Sequence, residues 1–138
     1  MNSESQEGNE KRDSIVYEKA YAVAIRIVKA YRYLCEAKKD YVLSKQLLNS
    51  GTSIASNLME GLSGISTADF SARISISYKE SQETKYWLSL LKDTDYIDEK
   101  SYYSIYADVD EVCAMLYAIL KKTRIQGKEP PPQEPTEE

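Results

Sequence analysis

Four cations, Lys19, Arg26, Lys29 and Arg32, recur at offsets of seven, three and three, a spacing that gathers them into one stripe if the segment is helical. Tyr21 and Tyr33 lie beside them, and Lys38, Lys39 and Lys45 follow in the next segment. Lysine and arginine neutralise phosphates with release of counterions, and tyrosine rings stack on bases, so this set suits contact with nucleic acid. The same pattern also describes an ordinary solvated helix face, and the residues alone leave both readings open.

Other chemistry finds less material. The chain has no histidine, which removes the commonest general base, the serine-hydrolase triad and the usual zinc ligand sets. Glu80 and Glu83 share a helix face by spacing, but no ExxH motif accompanies them as a di-iron site would require, and a polar surface pair is the expected role. Cys35 and Cys113 stand far apart without CxxC spacing and read as reduced thiols with packing roles. Neither enzyme activity, a cofactor nor a metal is expected.

The cations need elements to hold them. At 138 residues the chain fits one domain. Val16, Ala20, Val23, Ile27, Ala30 and Leu34 alternate spacings of four and three, the seam of a bundle helix that starts at an N-cap on Asp13 or Ser14 and runs to Cys35. A second helix runs from an N-cap at Asp40 to Glu60 and is stopped by left-handed Gly61 and Gly64. Ser66 caps a third, Thr67 to Thr94, with the seam Phe70, Ile74, Ser77, Ser81, Thr84, Leu88 and Leu91. Asp98 caps a fourth, with Tyr102, Tyr106, Val109, Cys113, Leu116 and Leu120 on its seam. Short links between all four predict an all-α, up-down-up-down antiparallel four-helix bundle over residues 13–125. Residues 1–12 and the Pro/Glu-rich segment 126–138 read as disordered tails.

The second helix departs most from a generic pattern. Between Leu47, Ile54 and Leu58 it carries Ser50, Gly51, Thr52, Ser53, Ala55 and Ser56, several of them poor helix formers. Such a run demands a closely packed neighbour, and the hydroxylic middle of the third helix is the expected one. Twelve tyrosines against one Phe and one Trp suit half-buried seams and interfaces, and those off the seam, such as Tyr17, Tyr21, Tyr78, Tyr86 and Tyr103, favour an oligomer.

The formal charge is -4, but much of the acid lies in the terminal segments. Without eight terminal acids and Lys11 and Arg12, 16 basic and 14 acidic residues remain (18 less 2; 22 less 8). The first two helices hold the bases and the second half the acids, which predicts a two-sided domain. Neither a membrane span nor a signal peptide is seen, so the default compartment is the cytoplasm.

QLLNSGTSIASNLMEG in the second helix, ESQETKYWL in the third and the Tyr96-Ile97 turn give the chain a resemblance to the bacterial four helix bundle proteins, also called large-subunit ribosomal RNA intervening-sequence proteins, over residues 14–122. Gln46, Ser53, Ile54, Asn57, Glu60 and Gly61 match the family motif and are implied to be fold and assembly determinants. Where the family often has consecutive arginines this chain has Leu48-Asn49-Ser50, and Gly51 stands where Ala is common. The resemblance implies an up-down bundle assembled as a homo-oligomeric, pentameric ring. Relatives that act as accessory variability proteins of diversity-generating retroelements bind RNA or DNA and a reverse transcriptase through positive surfaces. Two functions are therefore expected to compete: a nucleic-acid-binding accessory protein using the basic face of the first two helices, and a structural adaptor that recognises a protein.

Overall fold

A computed structural model of the chain describes residues 3–64 and 66–127, with side chains over 6–64 and 66–123. Four helices account for nearly all of it: α1 (Ser3–Glu36), α2 (Leu43–Leu62), α3 (Thr67–Asp93) and α4 (Glu99–Gly127). No strand occurs among the described residues, so the fold is all-α.

Element ends differ from expectation in four places, each for a physical reason. First, α1 begins at Ser3 instead of at a cap on Asp13 or Ser14, and residues 3–12 are helix instead of a disordered tail. Glu7 and Glu10 sit in its early turns, where the helix dipole favours negative charge, and Glu7 precedes Lys11 by one turn. Asp13 pairs with Arg12 at 2.7 Å instead of capping. Second, α2 starts at Leu43, three residues after Asp40. Asp40 still serves its first turn: its carboxylate accepts from the Ser44 amide at 2.6 Å, and its carbonyl accepts from the Ser44 hydroxyl at 2.7 Å. Third, no described glycine has a positive φ; Gly61 lies inside α2, and the helix ends on right-handed Ser63. Fourth, α4 continues to Gly127, and the tail expected beyond it lies outside the described residues.

The other caps follow the sequence. The Ser66 hydroxyl accepts from the Asp69 amide at 3.0 Å, and the Asp98 carboxylate accepts from the Ser101 amide at 2.7 Å. Each satisfies one of the amides that a helix start leaves without an internal partner.

Helices adjacent in sequence are adjacent in space, and α1 closes the circuit on α4; the backbones of the diagonal pairs stay apart. The pairings run countercurrent. Ile27 of α1 meets Gly51 and Cys35 meets Ser44, Ile54 of α2 meets Ser77 while Asn57 meets Arg73, and Gln82 of α3 meets Cys113 while Ser89 meets Tyr102. The α2–α3 interface is the most extensive and α1–α4 the slightest.

The core is the four seams. All the expected positions are buried except Ala30, Phe70 and Tyr106, which are half-buried against it. The small residues do what their cost requires. Ser77 donates its hydroxyl across the interface to the Ile54 carbonyl, and Ser50, Ser77, Ser81 and Thr84 are all buried. Gly51 admits α1 instead of α3: a Cβ there would lie 2.6 Å from Cγ1 of fully buried Ile27. Both thiols are free, Cys113 buried and Cys35 half-buried.

Candidate nucleic-acid interface

The corner where α1 runs into α2 concentrates exposed positive charge. Lys29 and Arg32 lie in the last turns of α1, Lys38 and Lys39 in the connection, and Lys45 in the first turn of α2; all five are exposed. None of the five has an ion pair among the described residues. Tyr33 is 48% exposed and Tyr41 61%, so two aromatic faces accompany the cations. Glu36 and Asp40 are the acids of this stretch, which leaves three net positive charges over residues 29–45.

The backbone of this corner is fixed. The Ala37 amide returns to the Tyr33 carbonyl at 2.8 Å and the Asp40 amide to the Leu34 carbonyl at 3.0 Å, closing α1 with Lys39 left-handed between them at φ 55°. Glycine takes this conformation without the clash of a Cβ against the following carbonyl, which costs about 1–2 kcal/mol for other residues. A lysine is thus held outward at a position that backbone energetics would assign to glycine. The corresponding turn after α3 uses Asp95, at φ 67°.

Lys19 and Arg26 do not join this group. Lys19 reaches Glu111 of α4 at 3.2 Å. Arg26 is bound more fully, with Nη1 at 2.8 Å from the Asp108 carboxylate and 3.1 Å from the Ser104 carbonyl, and Nη2 donating to the Ser104 hydroxyl at 2.9 Å. The seven-residue basic set expected on α1 and α2 therefore divides into five open cations and two that stitch α1 to α4. Tyr41 and the strained Lys39 backbone were not singled out from sequence; the signal for Tyr41 was an aromatic residue directly after Lys38-Lys39-Asp40 in a short connection.

The motif residues of α2 separate by face. Ile54 is core. Asn57, Glu60 and Gly61 form a seat for Arg73 of α3, whose guanidinium donates to the Asn57 side chain at 3.1 Å and pairs with Glu60 at 3.0 Å. Gly61 lies beneath it, where an added Cβ would stand 3.0 Å from the Arg73 Cβ. Arg73 is the residue that gives these three positions their purpose, and it has no motif of its own. Ser53 turns its hydroxyl back to the Asn49 carbonyl at 2.6 Å, and Gln46 is exposed.

Elsewhere the chemistry is thin. Glu80 holds its proton to higher pH than an ordinary glutamate, because it is partly desolvated and because Glu83 is close. Glu83 accepts from the Trp87 indole at 3.2 Å. No group of three or more carboxylate or thiol side chains able to hold a metal occurs among the described residues. An open depression of about 410 Å³ at the far end of α2 is lined by Asp13, Leu62, Ser66 and Phe70 among others, and no cation lines it among the described residues.

Residues 12–118 match the sequence profile of the 23S rRNA-intervening sequence protein family. The chain belongs to that family. A crystal structure of a protein of unknown function from the S23 ribosomal protein family of Bacteroides thetaiotaomicron VPI-5482 is 43% identical, with a TM-score of 0.78, over 80% of this chain and 98% of that one. No curated protein matches. In this intervening-sequence family member, no described helix is long and apolar enough to cross a membrane.

Proposed function

We propose that this chain is a non-enzymatic accessory protein of the cytoplasm that binds nucleic acid through the basic corner joining α1 to α2. One observation carries the reading: five exposed cations without ion pairs, flanked by exposed Tyr33 and Tyr41, at a corner where Lys39 keeps a left-handed backbone. Phosphates would be met by the cations and unstacked bases by the rings. A family named for intervening sequences of 23S rRNA supports structured RNA as the first ligand to test, with DNA as the comparison. The reading includes an up-down-up-down bundle, supported by the countercurrent helix pairings, and a homo-oligomeric ring of the pentameric kind that the resemblance implies. A reverse transcriptase is the protein partner that the same resemblance brings.

The test is filter binding of the full chain to a structured RNA across a salt series. If all five cations neutralise phosphates, log K falls with log salt by roughly 3.5–4.5. Replacing Lys38, Lys39 and Lys45 with Glu weakens binding at every salt concentration and flattens the slope by roughly 2–3. Absence of binding at low salt by the intact protein refutes the reading.

A second reading, an adaptor that recognises a protein, is favoured by exposed Tyr86 and Tyr103 on α3 and α4, at 57% and 59%. It expects a specific partner to co-purify after nuclease treatment. Loss of every partner with nuclease counts against it.

A further inference from the structure

The outer faces of α1 and α3 carry complementary features that the corner does not use. On α1, Tyr21 and Ile25 are 54% and 44% exposed and are followed on the same outward face by the open cations Lys29 and Arg32. On α3, Ile76 is 40% exposed, Trp87 is half-buried, and Glu80 and Glu83 lie between them. Neither carboxylate has a cation: both are absent from the ion pairs formed among the described residues.

The two faces match in spacing as well as in sign. Lys29 and Arg32 are three residues apart, as are Glu80 and Glu83, so each pair spans about 4.5 Å along its axis. Each charged pair has large apolar or aromatic side chains beside it on the same face, so contact would bury apolar surface together with opposite charge. Glu80, already partly desolvated beside a like charge, is a group whose ionised form gains from a cation brought against it. Within one chain the faces cannot meet, since α1 and α3 occupy diagonal corners with their backbones apart.

We propose that the outer face of α3 in one copy docks on the outer face of α1 in a second copy, with Glu80 and Glu83 meeting Lys29 and Arg32, and Ile76 and Trp87 packing on Tyr21 and Ile25. This deepens the assembly part of the reading above and rests on it. Because the two patches differ, the contact is heterologous and propagates head to tail until rotation closes a ring. It takes Lys29 and Arg32 out of the basic corner and leaves Lys38, Lys39, Lys45 and Tyr41 facing outward, so the assembled protein shows a salt slope of roughly 2–3 in place of the value for five cations.

Charge exchange followed by light scattering and sedimentation tests the contact. The full chain assembles, whereas Lys29→Glu/Arg32→Glu and Glu80→Lys/Glu83→Lys each fall toward the 15.7 kDa protomer. The variant carrying all four exchanges recovers assembly; an equimolar mixture of the two double variants regains head-to-tail contacts and rises above the protomer mass, but only in open or even-numbered assemblies, because its copies must alternate and an odd ring leaves one mismatched contact. Circular dichroism at 222 nm establishes that each variant is folded, and Ile25→Lys, which leaves the four charges in place, also lowers the mass. Trp87, the sole tryptophan, gives a second readout: its emission shifts to the red on dilution to protomers and not in the double variants. A monomeric wild-type chain at micromolar concentration overturns both this contact and the assembly reading. An assembled wild type whose mass is unmoved by either exchange, or an unrecovered four-fold variant, overturns the contact alone. Lys38→Glu/Lys39→Glu/Lys45→Glu assembles as wild type, which separates failure here from failure of nucleic-acid binding.

Discussion

Replacing Gly51 with alanine sets two effects of known size against each other. In an exposed helix interior the change stabilises by about 1 kcal/mol, because alanine restricts the unfolded chain and glycine does not. Here the added Cβ would lie 2.6 and 2.7 Å from Cγ1 and Cγ2 of Ile27 and 3.1 Å from its Cβ. Rotating Ile27 about χ1 moves the γ carbons but not the Cβ, and a β-branched residue in a helix has essentially one comfortable χ1 well. Ile27 is fully buried, so α1 and α2 must separate by a few tenths of an ångström or the core must shift. Overpacking of this kind costs about 1–3 kcal/mol; with a contact this close the upper part of that range applies, and the net loss is about 1–2 kcal/mol after the propensity gain. For a chain of this size that lowers Tm by about 3–10 °C. Urea and thermal melts followed at 222 nm measure it. Ile27→Ala alone costs about 2–5 kcal/mol through its cavity, and Gly51→Ala/Ile27→Ala costs less than the sum of the two, because the new methyl occupies part of the hole. A Gly51→Ala variant as stable as wild type, or additive costs in the double variant, would refute the packing argument.

Lys39→Gly relieves the left-handed strain and raises stability by about 1 kcal/mol while weakening RNA binding, so melts and filter binding move in opposite directions. Arg73→Met keeps the aliphatic stem over Gly61 but strands Asn57 and Glu60; it lowers stability by about 1 kcal/mol in urea melts, discounted for partial exposure. Glu80→Gln tests a raised carboxylate: the native fold binds this proton more tightly than the unfolded chain, so wild-type stability falls as pH rises from the ordinary glutamate value of 4.5 through the higher folded one. In the dissociated protomer the variant is therefore more stable than wild type at pH 7, and the difference closes below pH ~4; in the assembled protein, where Lys29 and Arg32 of a second copy meet the carboxylate, the sign reverses. Asp98→Ala has the opposite signature. The Ser101 amide holds the Asp98 pKa below 3.8, so its stabilisation is present above that value and is lost as pH falls through the folded one, and the gap between wild type and variant narrows in acid.

The seams were legible because burial on a helix writes itself at spacings of three and four, and the caps at Ser66 and Asp98 because their oxygen chemistry is local. The α2–α3 packing was legible for the same reason: only small side chains permit close approach, and both helices place them at mid-length. What escaped depended on register between helices. Nothing near Lys19 or Arg26 in sequence announces Glu111, Asp108 or Ser104, and only the approach of α4 turns two candidate phosphate contacts into internal stitches. Gly61 was misassigned for a related reason. A glycine near a helix end supplies either backbone freedom or room, and the approach of Arg73 decides for room. The α1 start was misplaced because Glu7, Glu10 and Lys11 support a helix through weak local charge terms that leave no apolar period.

The α1–α4 seam gives the bundle a mechanical weak side. Four rods whose backbones approach only along the edges of a square, around one shared core, resist stretching along each edge but yield to opening at the least secured one. That edge is the one stitched by Lys19 and Arg26, whose pairs with Glu111 and Asp108 are partly exposed and are therefore screened by salt. The α1–α2 turn, tied by its own backbone hydrogen bonds, is the link that α1 keeps when that edge opens. Rising ionic strength then loosens that edge at the same time as it weakens the hold on any polyanion at the α1–α2 corner.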